Sequence, residues 1–161
     1  AETLWAEGLR FELRLVGLPR PETAGAALRE IGRLRAAGRP LRCDGVLDDD
    51  ALAAAWRSCT FSVYPSMIEG FGLPVIESLA HGKPCLCAGT GATGELVPGG
   101  GVLGVQPADA AGFAAAMRRL LTDPAELARL AAEARQRPIP TWDGCARHLL
   151  DWIDTLRAAR R

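Results

Sequence analysis

The sequence predicts an α/β chain built on a doubly wound parallel sheet. Three observations carry this. Short β-patterned runs alternate with helix-patterned runs, as parallel βαβ units require. The 161 residues are 48% hydrophobic and 24% charged, enough apolar content for one domain with its own core. A segment rich in glycine and acid follows one of the strand-like runs, and sheets of this kind bind ligands beyond the carboxyl ends of their strands.

The elements follow in order. Residues 11–17 alternate and stop at Gly17, which reads as a strand. Residues 23–37 place Ala27, Leu28, Ile31, Leu34 and Ala37 at helical spacing, with Gly38 as the stop. Residues 41–47 form a short strand. Residues 48–58 form a helix with Asp at its start and Leu52, Ala55 and Trp56 on one face. Residues 60–64 are the next strand. Residues 74–81 are a helix with Pro74 in its first turn, where a missing N–H costs nothing. Residues 84–88 are another strand, and a loop runs from there to Gly101. Residues 102–105 make a short strand. Three helices close the chain: residues 109–121 with Phe113, Met117, Leu120 and Leu121 on a stripe; a second opened by Asp123-Pro124; and residues 142–157 with Leu149, Ile153 and Leu156 aligned. No internal repeat is evident.

Charge and cysteine content exclude some functions. Nineteen basic and nineteen acidic side chains cancel, so no general field draws the chain to nucleic acid or to an anionic membrane. The terminal Arg157, Arg160 and Arg161 read as a solvated helix end, with a peripheral membrane contact as the alternative. The five cysteines read as small apolar residues, Cys85 and Cys87 on one strand face and Cys43 and Cys59 at strand edges. His81 and His148 are not spaced to complete a zinc site, so no metal is expected. Unpaired thiols fit a reducing compartment, and the expectation is a cytoplasmic protein, with the inner face of the membrane as a further location.

The chemistry concentrates in Glu69-Gly70-Phe71-Gly72-Leu73-Pro74-Val75-Ile76-Glu77. Glu77 falls about one turn into the helix opened by Pro74. An acid there suits the helix dipole, and it can equally accept two vicinal hydroxyls, as an acid does for a ribose. Glu69 either meets sugar hydroxyls or sits in solvent. The loop favours the functional reading: Gly70 and Gly72 admit close approach of a ligand. The N–H groups of Gly72, Leu73, Val75 and Ile76, at a helix start, are expected to be free for a phosphate or sugar oxygen.

Pro65-Ser66 and the run from Glu69 to Pro84 strongly resemble the nucleotide-sugar half of group 1 retaining glycosyltransferases of the GT-B fold, whose hallmark is two Glu with seven residues between them. Leu15-Val16-Gly17, Gly45-Val46, Gly94-Glu95-Leu96, Val105-Gln106-Pro107, Asp123-Pro124 and Thr141-Trp142 fall in the family's order. The resemblance implies a Rossmann-like domain over residues 1–161, the C-terminal donor-binding half. It implies that Glu77 binds the ribose and that Glu69 contacts the donor sugar as the catalytic residue. Gly70, Phe71, Gly72 and Leu73 hold sugar and phosphate, and Val46 and Leu47 face the base. The donor is a UDP- or GDP-linked hexose-type sugar, with no cofactor and no metal. The acceptor is a glycan, polysaccharide or lipid-linked molecule, held by the protein's own N-terminal domain.

Two parts of the family pattern are not found: the acceptor domain, and the first strand of this half, which carries the Arg and Lys that clamp the diphosphate. Lys83 does not match that strand in position. The expectations are a gap near the centre of the sheet and no turnover by this chain alone. The alternative function is a non-catalytic nucleotide- or sugar-binding module of the same fold.

Two further motifs point elsewhere. Gly89-Thr90-Gly91-Ala92-Thr93-Gly94 fits the dinucleotide fingerprint, but Pro98 and the following glycines stop its helix after about one turn, which disfavours a nicotinamide or flavin site. A glycine-rich loop near the double-Glu segment is expected instead. Asp48-Asp49-Asp50 resembles a paired-Asp metal motif, but it stands where a helix wants a cap.

Overall fold

The computed structural model describes residues 1–19 and 21–159. Arg160 and Arg161 lie outside the described residues, so of the terminal arginines only Arg157 is placed, within reach of Asp154 at 3.4 Å.

The alternation is realised as five strands, β1 (Leu13–Val16), β2 (Leu41–Gly45), β3 (Ser62–Tyr64), β4 (Cys85–Ala88) and β5 (Val102–Val105). The principal helices between and after them are α2 (Pro21–Ala36), α3 (Asp49–Ser58), α4 (Leu73–Ala80), α6 (Ala110–Thr122), α7 (Pro124–Gln136) and α8 (Trp142–Ala158). A five-residue α1 (Glu2–Ala6) precedes β1, and α5 (Gly91–Gly94) is a single turn before a 3-10 turn at Val97–Gly99. Every strand pair is parallel.

The α/β class stands, and the sheet is divided. Strand β1 pairs with β2, and β3–β4–β5 form a second ladder; among the described residues nothing joins β1 to β3. The division gives each of those two strands an unpaired edge. It falls between the first two and the last three strands, near the middle of the sheet where the sequence leads one to expect a missing strand.

The core belongs to the three-stranded half. All four residues of β4 are buried, as suits a central parallel strand covered on both faces. Its alternation serves two layers. Leu86 joins Leu4, Val105, Phe113, Met117, Leu120 and Leu130 beneath α1, α6 and α7. Cys85 and Cys87 join Val75, Leu79, Val102 and Ala134 beneath α4 and α7. Each fully buried Leu or Val contributes about 1.5–3 kcal/mol. Burial pushes the Cys85 thiol up to about 12, so it serves as a small apolar side chain. Cys43 and Cys59 depart from the strand-edge expectation. Cys43 is in the middle of β2, and Cys59 is the residue that ends α3.

The caps follow from the side chains. Asp48 accepts from the Ala51 N–H at 2.8 Å, which makes the triple-Asp run a capped helix start. Asp109, Asp123 and Thr141 do the same for α6, α7 and α8. Helix α1 has no sequence signature. It is held from outside, by burial of Leu4 and Trp5 and by the Glu7–Arg118 ion pair to α6. Helix α8 buries none of its residues, and its apolar Leu149, Leu150, Trp152 and Leu156 stay exposed.

Candidate functional site

Residues 65–72 join β3 to α4 and place the double-Glu segment at the carboxyl end of the sheet. Helix α4 begins one residue before Pro74, at Leu73, and Gly72 is its N-cap in a left-handed conformation (φ 87°, ψ 48°). Only glycine holds that conformation without strain. The turn is also crowded: a Cβ on Gly72 would lie 3.0 Å from Cγ2 of Thr93. Thr93 belongs to the single turn α5, is buried, and is pinned by its hydroxyl to the Ala88 carbonyl at 2.9 Å. The glycine-rich loop after β4 therefore packs against the double-Glu loop, as its sequence suggested.

The expected set of free donors is corrected. Val75 and Ile76 donate their N–H groups to the Gly72 carbonyl, at 3.0 and 3.4 Å. Because the helix starts at Leu73, the carbonyl of its N-cap Gly72 takes the first intrahelical bonds, which leaves the N–H groups of buried Gly72 and exposed Leu73 without an acceptor among the described residues. Phe71 and Leu73 are exposed beside them.

A cavity of about 400 Å³ opens beside this turn, in the division between β1 and β3. Arg14 and Val16 line it from β1, Leu52, Ala55 and Trp56 from α3, Ser62 to Tyr64 from β3, and Pro74 and Glu77 from α4. Glu77 is exposed at this rim, and no described residue gives its carboxylate a hydrogen bond or ion pair. Glu69 does not line the cavity. It accepts a hydrogen bond from the Tyr64 hydroxyl, and Tyr64 does line it. Tyr64 thus bonds Glu69 and lines the cavity that Glu77 rims. The nearby Ser66 and Tyr64 hydroxyls hold the Glu69 carboxyl below the usual glutamate range; the better-defined contact is Tyr64's, since Ser66 also donates weakly to the Ile68 carbonyl at 3.4 Å. Val46 and Leu47 lie at the end of β2, and neither lines the cavity; Val16, Leu52 and Trp56 supply its apolar wall.

Positive charge in the cavity comes from Arg14, which is paired with Asp44; Arg42 binds the same carboxylate at 2.6 Å. Arg42 and Arg14 together hold Asp44 below the usual aspartate range. Lys83 plays no part here. Its ammonium donates to the carbonyls of Cys59 at 2.7 Å and Arg57 at 3.1 Å, closing the end of α3. Ser78 ties α4 down from below. It is fully buried, 2.7 Å from the Ser62 hydroxyl, and donates to the Lys83 carbonyl at 3.0 Å. Sequence reasoning missed Arg14 and Tyr64 as site residues. The period-2 pattern of their strands was the available signal, but it does not say which strands flank a cavity.

Comparison with known proteins gives this arrangement a context. Residues 2–123 match the family described as Glycosyl transferases group 1. The chain is 38% identical over 104 residues to MMP alpha-(1->4)-mannosyltransferase of Mycolicibacterium hassiacum, covering 62% of this chain and 25% of that protein. It is 40% identical over 106 residues to glycogen synthase of Mycobacterium tuberculosis, covering 65% and 26%. Among solved structures, sucrose-phosphate synthase from Thermosynechococcus elongatus superposes with a TM-score of 0.77 at 29% identity, covering 98% of this chain and 41% of that one. HepE from Anabaena, solved with UDP and glucose, superposes with a TM-score of 0.64 at 25% identity, covering 77% and 34%. The chain thus spans about a quarter of the two enzymes it matches in sequence.

Proposed function

Because the chain belongs to the group 1 glycosyltransferases, we propose that it is the donor-binding domain of a retaining enzyme. The full-length protein moves a hexose-type sugar from UDP or GDP to a glycan, polysaccharide or lipid-linked acceptor. Its remaining part supplies the acceptor domain. The observation that carries this reading is Glu77: an acid with no partner among the described residues, on the rim of a cavity of about 400 Å³, one turn from a glycine-capped helix start.

The chemistry assigned to each residue follows from its position. Glu77 accepts from the two vicinal ribose hydroxyls, which present two donors at the spacing of one carboxylate. The N–H groups of Gly72 and Leu73, with the dipole of α4 behind them, face the donor's phosphate or sugar oxygens. Glu69, ionised at neutral pH, faces sugar hydroxyls. The apolar wall of Val16, Leu52 and Trp56 suits a base better than Val46 and Leu47 do. Catalysis in the full-length protein rests on placement of the donor and on stabilising the charge that develops on the leaving diphosphate. The chain alone binds without turnover, and the five free thiols suit a cytoplasmic setting.

Calorimetric titration of the chain with UDP, GDP and their sugar conjugates tests this. Micromolar to millimolar binding of one nucleotide series is expected. Glu77→Ala should weaken it about tenfold or more, as loss of hydrogen bonds to a charged acceptor predicts. Absence of nucleotide binding, or unchanged affinity in Glu77→Ala, would refute the assignment.

A further inference from the structure

We propose that Tyr64 is a positioning residue for Glu69, its phenol fixing that carboxylate in the orientation that receives the donor sugar. The inference deepens the donor-site reading above and rests on it.

Glu69 needs an anchor. It sits on the segment between β3 and α4, where Met67 and Ile68 are exposed and Gly70 has no side chain. A glutamate on such a loop spreads over several rotamers, and ordering it on binding would cost conformational entropy. Tyr64 supplies what the loop lacks. It is the last residue of β3, paired in register with Cys87 of the buried strand β4. Its side chain packs on the cluster of Val75, Leu79, Cys85 and Cys87. The position of its hydroxyl is therefore set by the sheet and by α4, not by the loop.

That hydroxyl donates to Oε1 of Glu69. The direction is chemically consistent at neutral pH. Burial, and then the adjoining Glu69 carboxylate, raise the phenol above its usual value, so it keeps its proton. Glu69 is in turn held ionised by the Ser66 and Tyr64 hydroxyls. A carboxylate bonded through Oε1 retains its other oxygen and remaining lone pairs for hydroxyls of a ligand. Tyr64 also lines the cavity that Glu77 rims, so it bonds one acid of the motif and shares a cavity with the other. Its ring fixes one wall while its hydroxyl orients the other acid.

The test compares wild type, Tyr64→Phe and Ser66→Ala. Tyr64→Phe keeps the packed ring and deletes the oxygen. Carbon-detected NMR titration of the Glu69 carboxyl, assigned with Glu69→Gln, reads the contact itself. Calorimetry with a nucleoside diphosphate and with its sugar conjugate reads the function. In Tyr64→Phe the Glu69 midpoint should rise toward the ordinary glutamate value. Affinity for the sugar conjugate should fall about fivefold to tenfold, while affinity for the bare diphosphate changes less than about twofold, because Glu69 meets only the sugar. The acid limb of conjugate binding should begin at a higher pH in the variant. Ser66→Ala should reproduce part of the midpoint shift. An unmoved Glu69 midpoint in Tyr64→Phe overturns the proposal, and so does an affinity ratio between conjugate and diphosphate that stays at the wild-type value. A wild-type chain that binds neither ligand overturns the donor-site reading and this one with it; the carboxyl titration keeps that outcome distinct from a missing Tyr64–Glu69 contact.

Discussion

Gly70 and Gly72 stand two positions apart in one loop, and the structure assigns them opposite tolerances. Gly72 has φ 87°, a conformation that costs an L-residue about 1–2 kcal/mol. A methyl group there would also sit 3.0 Å from Cγ2 of Thr93. Thr93 does not yield freely, because its hydroxyl is bound to Ala88 and its side chain is buried. Relieving that contact adds about 1 kcal/mol, near the low end of overpacking costs. Gly72→Ala should therefore destabilise the chain by about 2–3 kcal/mol. For a domain of this size that lowers the melting temperature by roughly 4–12 °C. Gly70 has no left-handed φ, and a Cβ built there meets nothing within 4 Å. Gly70→Ala should stay within about 0.5 kcal/mol of wild type. Urea denaturation of the two variants beside wild type measures the difference directly. Equal stabilities would refute the reasoning, since both glycines share the loop and the substitution and differ in backbone conformation and in what surrounds them. Gly72→Ala should also displace the start of α4 and weaken nucleotide binding beyond what the stability loss explains.

Two other outcomes follow from contacts away from the loop. Ser78→Ala removes a side chain that bonds both the Ser62 hydroxyl and the Lys83 carbonyl, and should cost about 1–3 kcal/mol by urea denaturation with the donor site intact in outline; a cost under about 0.5 kcal/mol would mean those groups find other partners. Acid should destabilise the chain with a definite sign. Glu2 and Glu30 (through Arg33), Glu7 (through Arg118), Asp44 (through Arg42 and Arg14), Glu69 (through Ser66 and Tyr64) and Glu126 (through Arg129) all lie below their usual values when folded. Their contribution is fully present above the unfolded range, about pH 4, and is lost as pH falls through the folded values. The melting temperature should be flat between about pH 5 and 8 and should drop below about pH 4; a rise on acidification would contradict the signs.

Local pattern carried much of the fold. The apolar run over residues 84–88 announced a strand, and Asp48 and Asp123-Pro124 announced the starts of α3 and α7. Those signals are local, and the contacts that cause them lie within a few residues. What stayed hidden depends on distance through space. Leu4 and Trp5 form a helix because α6 and the rest of the core cover them, and no spacing within five residues encodes that. Strand patterns do not reveal which strands pair, so the division between β1 and β3 rested on family resemblance until the ladders were seen. The place of Glu77 about one turn into α4 was legible from its spacing to Pro74. The donor set was not, because α4 begins at Leu73, one residue before Pro74, and the carbonyl of its N-cap Gly72 takes the N–H groups of Val75 and Ile76. The Tyr64–Glu69 contact spans a loop whose path the sequence leaves open.

The gap between the two ladders has a practical meaning for anyone handling this polypeptide by itself. Among the described residues no strand pairs with one side of Leu13–Val16 or one side of Ser62–Tyr64, which leaves a row of backbone donors and acceptors there. Such rows are adhesive. In concentrated solution they recruit any extended chain that fits, a sister molecule included, and clumping would follow through backbone bonds even while every helix remains folded.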